Sequence, residues 1–296
     1  MKKILLTGAS GFLGGNFCHL YANQFDIHGI YNGHPVESKK APAHQLDLTD
    51  PVAVQEYFQK TNPDAVIHLA AYSDPNQCEL HPDVSEKINI ETSENLAYLC
   101  SEAGIPFVFS STDLVFDGSN APYKETDIPA PVNTYGLHKA IAENSIQDIY
   151  TNATICRLPL MFGNSFGDKP NILQQILKKL SSAETLNLFT DEYRSVASAR
   201  DVCSGLILCM DQPGKIFHLG GDEKISRYDF GKMVCEVFGN DNKLIVKSKQ
   251  REVKMPAARP KDVSMVNEKA KSIGWKPGNI RDELESVKKE MGPETI

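Results

Sequence analysis

Across 296 residues no apolar run approaches the ~20 needed to cross a bilayer as a helix, so no membrane span is expected. Excess basic charge is also missing. The 31 Lys and Arg face 38 Asp and Glu, and the formal net charge of −7 argues against a nucleic-acid or anionic-membrane partner. No CxxC pair occurs, and the seven cysteines (Cys18, Cys78, Cys100, Cys156, Cys203, Cys209 and Cys235) are odd in number and scattered. Several sit inside apolar runs, as in Ile155-Cys156 and Leu208-Cys209. They read as reduced core thiols of a cytoplasmic protein rather than a disulfide framework. No clustered His, Cys and Asp spacing suggests a metal site, and none is expected. Internal repeats, low-complexity tracts and flexible linkers are absent too. The opening MKKILLTGASGFLG has the basic head of a secretory signal, but Thr7 and Gly8 break its apolar run and no small-residue cleavage site follows. It reads as a first strand entering a glycine turn.

What is present is an ordinary globular composition, 41% hydrophobic and 23% charged, on a chain long enough to bury a full core. Short apolar strands at 3–7, 27–31, 65–69, 107–110 and 154–157 alternate with helical stretches at 12–24, 51–61, 82–103 and 134–150. That rhythm predicts an α/β fold, a doubly wound parallel sheet covered on both faces. After about residue 160 the rhythm changes. Gly/Asn/Asp/Pro-rich loops lead to a helix near 171–183 and a polar stretch through Arg200. A strand at 215–219, helices at 228–238 and 266–273, and the irregular segment 251–262 follow. The expected division is a nucleotide-binding part over 1–160, with a return strand near 215–221, and a smaller, interleaved C-terminal substrate lobe over 161–296.

Thr7-Gly8-Ala9-Ser10-Gly11-Phe12-Leu13-Gly14 lies where the first strand hands over to the first helix. Glycines permit a tight turn and close approach of backbone to a pyrophosphate, and the helix N-terminus offers free N–H groups. The third allows close helix–sheet contact, which marks a Rossmann dinucleotide site. Ser10, Phe12 and Leu13 belong to the same turn. At the tip of the second strand Ile30-Tyr31-Asn32-Gly33-His34 carries no carboxylate for a ribose 2′-hydroxyl. Lys39 and Lys40 follow, either to meet a 2′-phosphate or as a solvated loop. The cofactor reading is therefore NADP, with NAD the alternative. Asp47-Leu48 is placed to touch adenine, and Ala70-Ala71 gives small side chains where the cofactor passes. His68 reads as a strand residue rather than a ligand.

Tyr135 and Lys139, in Tyr-Gly-Leu-His-Lys, lie four apart at the start of a helix and share one face. A phenol with a pKa of ~10 needs help to act near neutrality, and a nearby ammonium is expected to lower it. Ser110-Ser111-Thr112-Asp113 follows the fourth strand, at the end where open α/β sheets bind ligands. Thr112 is the candidate for holding a substrate carbonyl beside Tyr135.

The glycine turn, the Ser/Thr site and the Tyr-x-x-x-Lys helix occur in the order that resembles the extended short-chain dehydrogenase/reductase superfamily, from Thr7 to about Pro277. Ser111-Thr112-Asp113-Leu114-Val115-Phe116-Asp117-Gly118 and the run Pro122–Lys139 resemble the dTDP-4-dehydrorhamnose reductase branch, as do Ala71-Tyr72-Ser73 and Asn89. Arg157-Leu158-Pro159-Leu160-Met161-Phe162-Gly163 and Phe217-His218-Leu219-Gly220-Gly221 look more like the regulatory β subunit of methionine adenosyltransferase, a partner-binding relative that keeps the NADP site. Ala258-Arg259-Pro260-Lys261-Asp262-Val263 and Ile273-Gly274-Trp275-Lys276-Pro277 look like nucleotide-sugar epimerases, in which the arginine meets the substrate diphosphate.

The resemblance implies an NADP-dependent oxidoreductase of nucleotide-sugar metabolism, of the dTDP-rhamnose type. Thr112, Tyr135 and Lys139 are its catalytic residues, Tyr135 and Lys139 also cofactor contacts, and Tyr72, Asn89, Asp113, Asn164, Arg194 and Arg259 its substrate contacts. It also implies a homodimer. Two positions depart from the reductase branch: Leu114 replaces a tyrosine and Leu160 a tryptophan of the sugar pocket. Asp113-Leu114 lacks the Asp-Glu pair of the 4,6-dehydratases, and Ser110-Ser111 lacks the cysteine of fucose-type epimerase–reductases. A 4-epimerase and a catalytically quiet NADP-binding subunit stand as the alternatives.

Overall fold

The computed structural model describes residues 1–33, 41–166 and 170–292. Lys39 and Lys40, the candidates for a 2′-phosphate, lie outside the described residues. In the first half β1 (Lys3–Thr7) runs into α1 (Phe12–Tyr21), and β2 (Asp26–Tyr31) and β3 (Ala43–Gln45) precede α2 (Pro51–Thr61). Next come β4 (Ala65–His68), α3 (Pro75–Leu80), α4 (Pro82–Glu86) and α5 (Thr92–Ala103). Then follow β5 (Phe107–Thr112), α6 (Thr134–Ile149) and β6 (Thr154–Leu158). The second half opens with β7 (Met161–Phe162), α7 (Ile172–Ser181), β8 (Leu186–Phe189), β9 (Tyr193–Arg194) and β10 (Ala197–Ser198). It continues through α8 (Ala199–Cys209), β11 (Ile216–His218), β12 (Ile225–Ser226), α9 (Arg227–Phe238), β13 (Ile245–Ser248), α10 (Glu268–Ser272) and α11 (Ile280–Met291).

Seven strands form one sheet in the order β11-β6-β5-β4-β1-β2-β3, all pairs parallel. This is the doubly wound α/β fold. The register sets Thr7 beside both Ile30 and His68, and Thr112 beside Leu158, so the carboxyl ends of β1, β4, β5 and β6 open at one edge. The strand order turns back between β1 and β4, the crevice where such sheets bind ligands.

Alternation within the strands divides the core. Ile4, Leu6, Ile67, Val108 and Cys156 pack toward Phe17 of α1 and Val202 and Leu206 of α8. Leu5, Val66, Phe107 and Phe109 pack toward Val54, Leu96 and Ile146 on the helices of the other face. Each such side chain contributes roughly 1.5–3 kcal/mol on leaving water. A third cluster joins α7, α9 and α11 over the short β8–β13 pair, through Leu173, Ile176, Leu188, Phe230, Val234 and Leu284. Trp275, 1% exposed, ties the C-terminal segment to α8 by donating from Nε1 to the Asp201 carbonyl at 2.8 Å.

Several elements differ from the sequence expectation. The helix expected over 82–103 is α4, a π-turn over Lys87–Glu91, and α5, with α3 standing before it. The polar stretch through Arg200 holds β8, β9 and β10, and α8 begins at Ala199. The helix expected over 266–273 is the five-residue α10, and α11 lies beyond it. Among the described residues no helix is long and apolar enough to cross a membrane, and all seven cysteines are free and buried.

Candidate active site

Helix α1 opens differently from its neighbours. Asp50, Asn133, Asn171, Ser198, Ser226 and Asn279 each cap a helix with a side-chain acceptor. At α1 the capping residue is Gly11 and no side chain bonds the first-turn N–H groups. Those donors face a cleft of about 670 Å³. Gly8 turns the chain with φ +69, and a Cβ on Gly14 would stand 2.2 Å from the Gly8 carbonyl oxygen, so the loop lies flat against the helix start. An uncapped helix N-terminus behind a glycine cradle fits a pyrophosphate, both by hydrogen bonding and by the helix dipole.

The same cleft receives Gly8, Ser10, Gly11, Phe12, Leu13 and Gly14 from this turn, Asn32 from the tip of β2, and Asp47 and Leu48 from beyond β3. Ala70 and Ala71 line its floor after β4, and Thr112 and Tyr135 close its far end. Asp47 Oδ1 accepts from the Thr49 N–H and hydroxyl, both at 2.9 Å, and these bonds hold its carboxyl below the usual range. Leu158 at the end of β6, with Pro159 and Met161 after it, adds a wall that the sequence reading did not assign.

Tyr135 stands in the first turn of α6, whose N-cap Asn133 accepts from the Gly136 N–H at 2.9 Å. Gly136 brings the helix close to the turn after β5, because a Cβ there would lie 2.1 Å from the Leu114 carbonyl oxygen. Tyr135 packs with Leu114, Cys78 and Tyr72. Thr112 Oγ1 accepts from the Leu114 N–H at 3.2 Å and donates to Asp113 Oδ1 at 3.3 Å.

Lys139 is 1% exposed, with Nζ 3.9 Å over the Phe109 ring. Burial lowers its pKa to about 7, although Glu143 pulls the other way. The expected lowering of Tyr135 is reversed in the protein alone. Burial, then Cys78 and Asp113, push the phenol up, and no cation is among the groups acting on it. Tyr135 is thus a protonated donor at neutral pH.

Buried hydrogen bonds brace this edge. The Thr7 hydroxyl accepts from the Leu69 and Ala70 N–H groups, each at 3.1 Å, so its own proton goes to His68 Nδ1 at 2.6 Å. His68 Nε2 then donates to Ser93 Oγ at 3.0 Å, and Ser93 donates to the Asn89 carbonyl. Burial lowers the His68 pKa to about 3, which keeps the ring neutral. Behind Lys139, Glu143 accepts from the Ser111 hydroxyl and from Arg157, whose Nη2 lies at 2.7 Å and Nε at 3.0 Å.

The residues expected to touch substrate fall in different places. Tyr72 is beside Tyr135. Asn89, 1% exposed in the π-turn, braces Tyr72. Its Oδ1 accepts from the Tyr72 N–H at 3.0 Å, and its Nδ2 donates to the Tyr72 carbonyl at 3.1 Å. Asp113 and Arg194 face each other in a buried ion pair at 2.9 Å, and Glu192 takes the second Nη of Arg194 at 3.1 Å. Burial opposes the charge on Arg194, but Asp113 and Glu192 overcome it. Arg259 is partly buried, donating to the Ala257 carbonyl and Asn76 Oδ1, each at 3.1 Å. Asn164 lies elsewhere. Its carbonyl accepts from Asn16 and its side chain donates to Glu290, in a separate cleft between α1 and α11. Among the described residues no group of three or more His, Cys, Asp or Glu could hold a metal ion.

Comparison with known proteins agrees with this arrangement. The family model described as RmlD substrate binding domain matches residues 1–292. A probable low-salt glycan biosynthesis reductase, Agl14, of Haloferax volcanii is 32% identical over 293 residues, covering 95% of this chain and 96% of that protein. Methionine adenosyltransferase 2 subunit beta of Pongo abelii is 26% identical over 283 residues, 92% of this chain and 83% of its own length. In fold, the chain is similar to dTDP-4-dehydrorhamnose reductase from Bacillus anthracis in complex with NADP. That structure has a TM-score of 0.87 at 24% identity, covering 98% of this chain and all of the other.

Proposed function

The chain belongs to the RmlD substrate binding domain family, within the reductase and epimerase branches of its superfamily, and on that premise we propose that it is an NADP-dependent reductase of a nucleotide-activated 4-keto-deoxysugar. The observation that carries the reading is the shared cleft. Thr112 and Tyr135 open onto the same space as the uncapped start of α1.

Bound in that cleft, a reduced nicotinamide supplies the hydride that the sugar C4 carbonyl receives. The residues of this chain do the rest. The first turn of α1 and the Gly8–Gly14 loop hold the pyrophosphate, while Asn32, Asp47, Leu48, Ala70 and Ala71 seat the adenosine side. Thr112, turning its hydroxyl proton away from the long 3.3 Å bond to Asp113, donates to the C4 oxygen and orients it. Tyr135, kept protonated by its surroundings, gives its phenolic proton to that oxygen as the alcohol forms. Lys139, four residues on along the same helix but seated over the Phe109 ring, anchors the ribose of the bound cofactor. Tyr72 borders the sugar, held by Asn89. Leu114, packed with Tyr135, and Leu160, packed against the α7–α9–α11 cluster, stand where the dTDP-4-dehydrorhamnose reductase branch has tyrosine and tryptophan, so the sugar itself is left open by this reading. A cytoplasmic location goes with this reading.

Tyr135→Phe removes the donated proton and leaves the cleft intact. NADPH oxidation with a nucleotide 4-ketosugar should fall at least about 10²-fold, with NADPH affinity within about 2-fold of wild type. Unaltered turnover would sink the assignment. A catalytically quiet regulatory subunit is the second reading, favoured by the likeness to methionine adenosyltransferase 2 subunit beta and by the two leucines. It predicts no oxidation with any 4-ketosugar and a co-purifying enzyme partner.

A further inference from the structure

Glu143 is a buried carboxylate that the reaction above does not use. It stands on α6 four residues beyond Lys139, two turns behind Tyr135, and does not line the cleft. Two strands are bonded to it. Ser111, near the carboxyl end of β5, donates from its hydroxyl to Oε1. Arg157, on β6 and buried as well, donates from Nε to Oε1 at 3.0 Å and from Nη2 to Oε2 at 2.7 Å. Arg157 is held in turn. Its Nη1 donates to the Glu125 carbonyl at 3.5 Å and to His218 Nε2 at 3.4 Å, and His218 Nδ1 donates to the Val266 carbonyl at 3.2 Å. The carboxylate is thus fixed by α6, β5, β6 and, through His218, β11.

That frame holds two cations for one carboxylate, and Arg157 takes the direct bonds. Lys139 Nζ lies over the Phe109 ring and forms no ion pair among the described residues. An ammonium drawn out of water stays protonated only beside a counter-charge. The other ionisable groups packed around it offer none. Tyr135 is a protonated phenol, and His68 and His218 are neutral rings. His138, on the same helix, is engaged with Ser85 Oγ at 2.9 Å, and Asp113, just beyond β5, is paired with Arg194. Glu143 remains. Four residues apart on a helix, side chains approach to about 5–6 Å between Cβ atoms. The charge of Glu143 opposes the effect of burial on the ammonium.

We propose that Glu143 is a positioning residue whose carboxylate is the counter-charge of the Lys139 ammonium, keeping it a charged donor to the ribose of the bound cofactor. Ser111 and Arg157 hold that carboxylate rigid, so the charge stays in place when the cofactor arrives. A charged donor makes a hydrogen bond roughly twice as strong as a neutral one. Loss of the counter-charge therefore reaches the cofactor only over the pH range in which it changes the protonation of Lys139. The contact between Lys139 and ribose rests on the reductase reading above.

The test is calorimetric titration of NADP into wild type and Glu143→Gln across the range from about pH 5 to about pH 9, which brackets the Lys139 titration. Glu143→Gln keeps an oxygen for Ser111 and Arg157 but removes the charge. Lys139 loses its proton at about 7 in the wild type, and about one unit lower in the variant. The ratio of the two Kd values should then follow a bell, near unity at both ends of the range and about 3 near neutrality. Glu143→Asp, which keeps the charge, should give a ratio that does not vary with pH, and a bell there overturns the proposal. If Glu143→Gln does not fold with Arg157 left unpaired, the double variant Glu143→Gln/Arg157→Met, which removes both ends of the ion pair, carries the same test. A ratio constant with pH in the charge-removing variant gives Glu143 a packing role alone, overturns the proposal and leaves the reductase reading standing. Wild-type protein that binds no NADP at any pH overturns the cofactor reading and the proposal with it.

Discussion

Tyr135 and His68 show how single residues take their chemistry from burial. Sequence spacing alone places Lys139 on the Tyr135 face of the helix, but the ammonium sits over Phe109 and the phenol stays protonated. That state suits a proton donor. His68 is legible as a strand residue, yet its relay to Thr7 and Ser93 spans 61 and 25 residues and no local pattern announces it. Its consequence is a pH dependence of stability. The folded pKa, about 3, lies below the unbound value of 6.5, so below about pH 6.5 the unfolded chain takes up a proton that the folded ring refuses. Stability from this group is complete above pH 6.5 and drains away toward pH 3. Between pH 7 and pH 5 the loss is about 2 kcal/mol. His218, also lowered to about 3 by burial, adds a parallel loss, whereas burial raises Asp113 and Asp201, which work in the opposite direction. His68→Gln, which keeps one acceptor and one donor, should shrink the pH 7-to-5 difference in urea unfolding free energy by about 2 kcal/mol. An unchanged difference would show that His68 is not the neutral buried ring described here.

At the scale of elements, the start of α6 decides where Tyr135 stands. Gly136 reads in the sequence only as a spacer inside Tyr-x-x-x-Lys, and its contact with the Leu114 carbonyl appears only when β5 and α6 are assembled. Gly136→Ala must push the helix off the turn after Thr112. We expect a stability loss of about 1–3 kcal/mol and a kcat lower by about 10²-fold, since a misplaced donor is costly even when it is present. Wild-type kcat and melting temperature in this variant would refute the positioning role.

Element by element, the sequence revealed what is local: β1 with its glycine turn, the apolar strands of the sheet, and α6. The helix expected over 228–238 is α9, and signals for α8 and α11 were also there, in Ser198 three residues before Asp201 and in Ile280, Leu284 and Val287 on one face behind Asn279. The α8 run is apolar and carries Gly205, which blurred its periodicity. The β8–β13 pair joins segments roughly sixty residues apart, and neither strand is recognisable without the other.

For the molecule as a whole, the parallel sheet and its loops supply most of the cleft lining, and Arg194, Arg227 and Arg259 lie outside it. The net charge of −7 is silent about an anionic substrate, which only the Ala258-Arg259-Pro260 resemblance implies. The ion pair between Asp113 and Arg194 bridges 81 residues, and no local pattern in the sequence announces it. Reductase, epimerase and quiet subunit share this architecture, and only the fate of the hydride separates them. The most direct measurement follows NADPH deuterated at the transferring nicotinamide C4 position, mixed with a panel of nucleotide 4-ketosugars and read by mass spectrometry and NMR of the sugar. The account predicts one deuterium at C4 of the product alcohol for each NADPH consumed. Deuterium left on the cofactor, with no NADPH oxidised by any sugar of the panel, would contradict it.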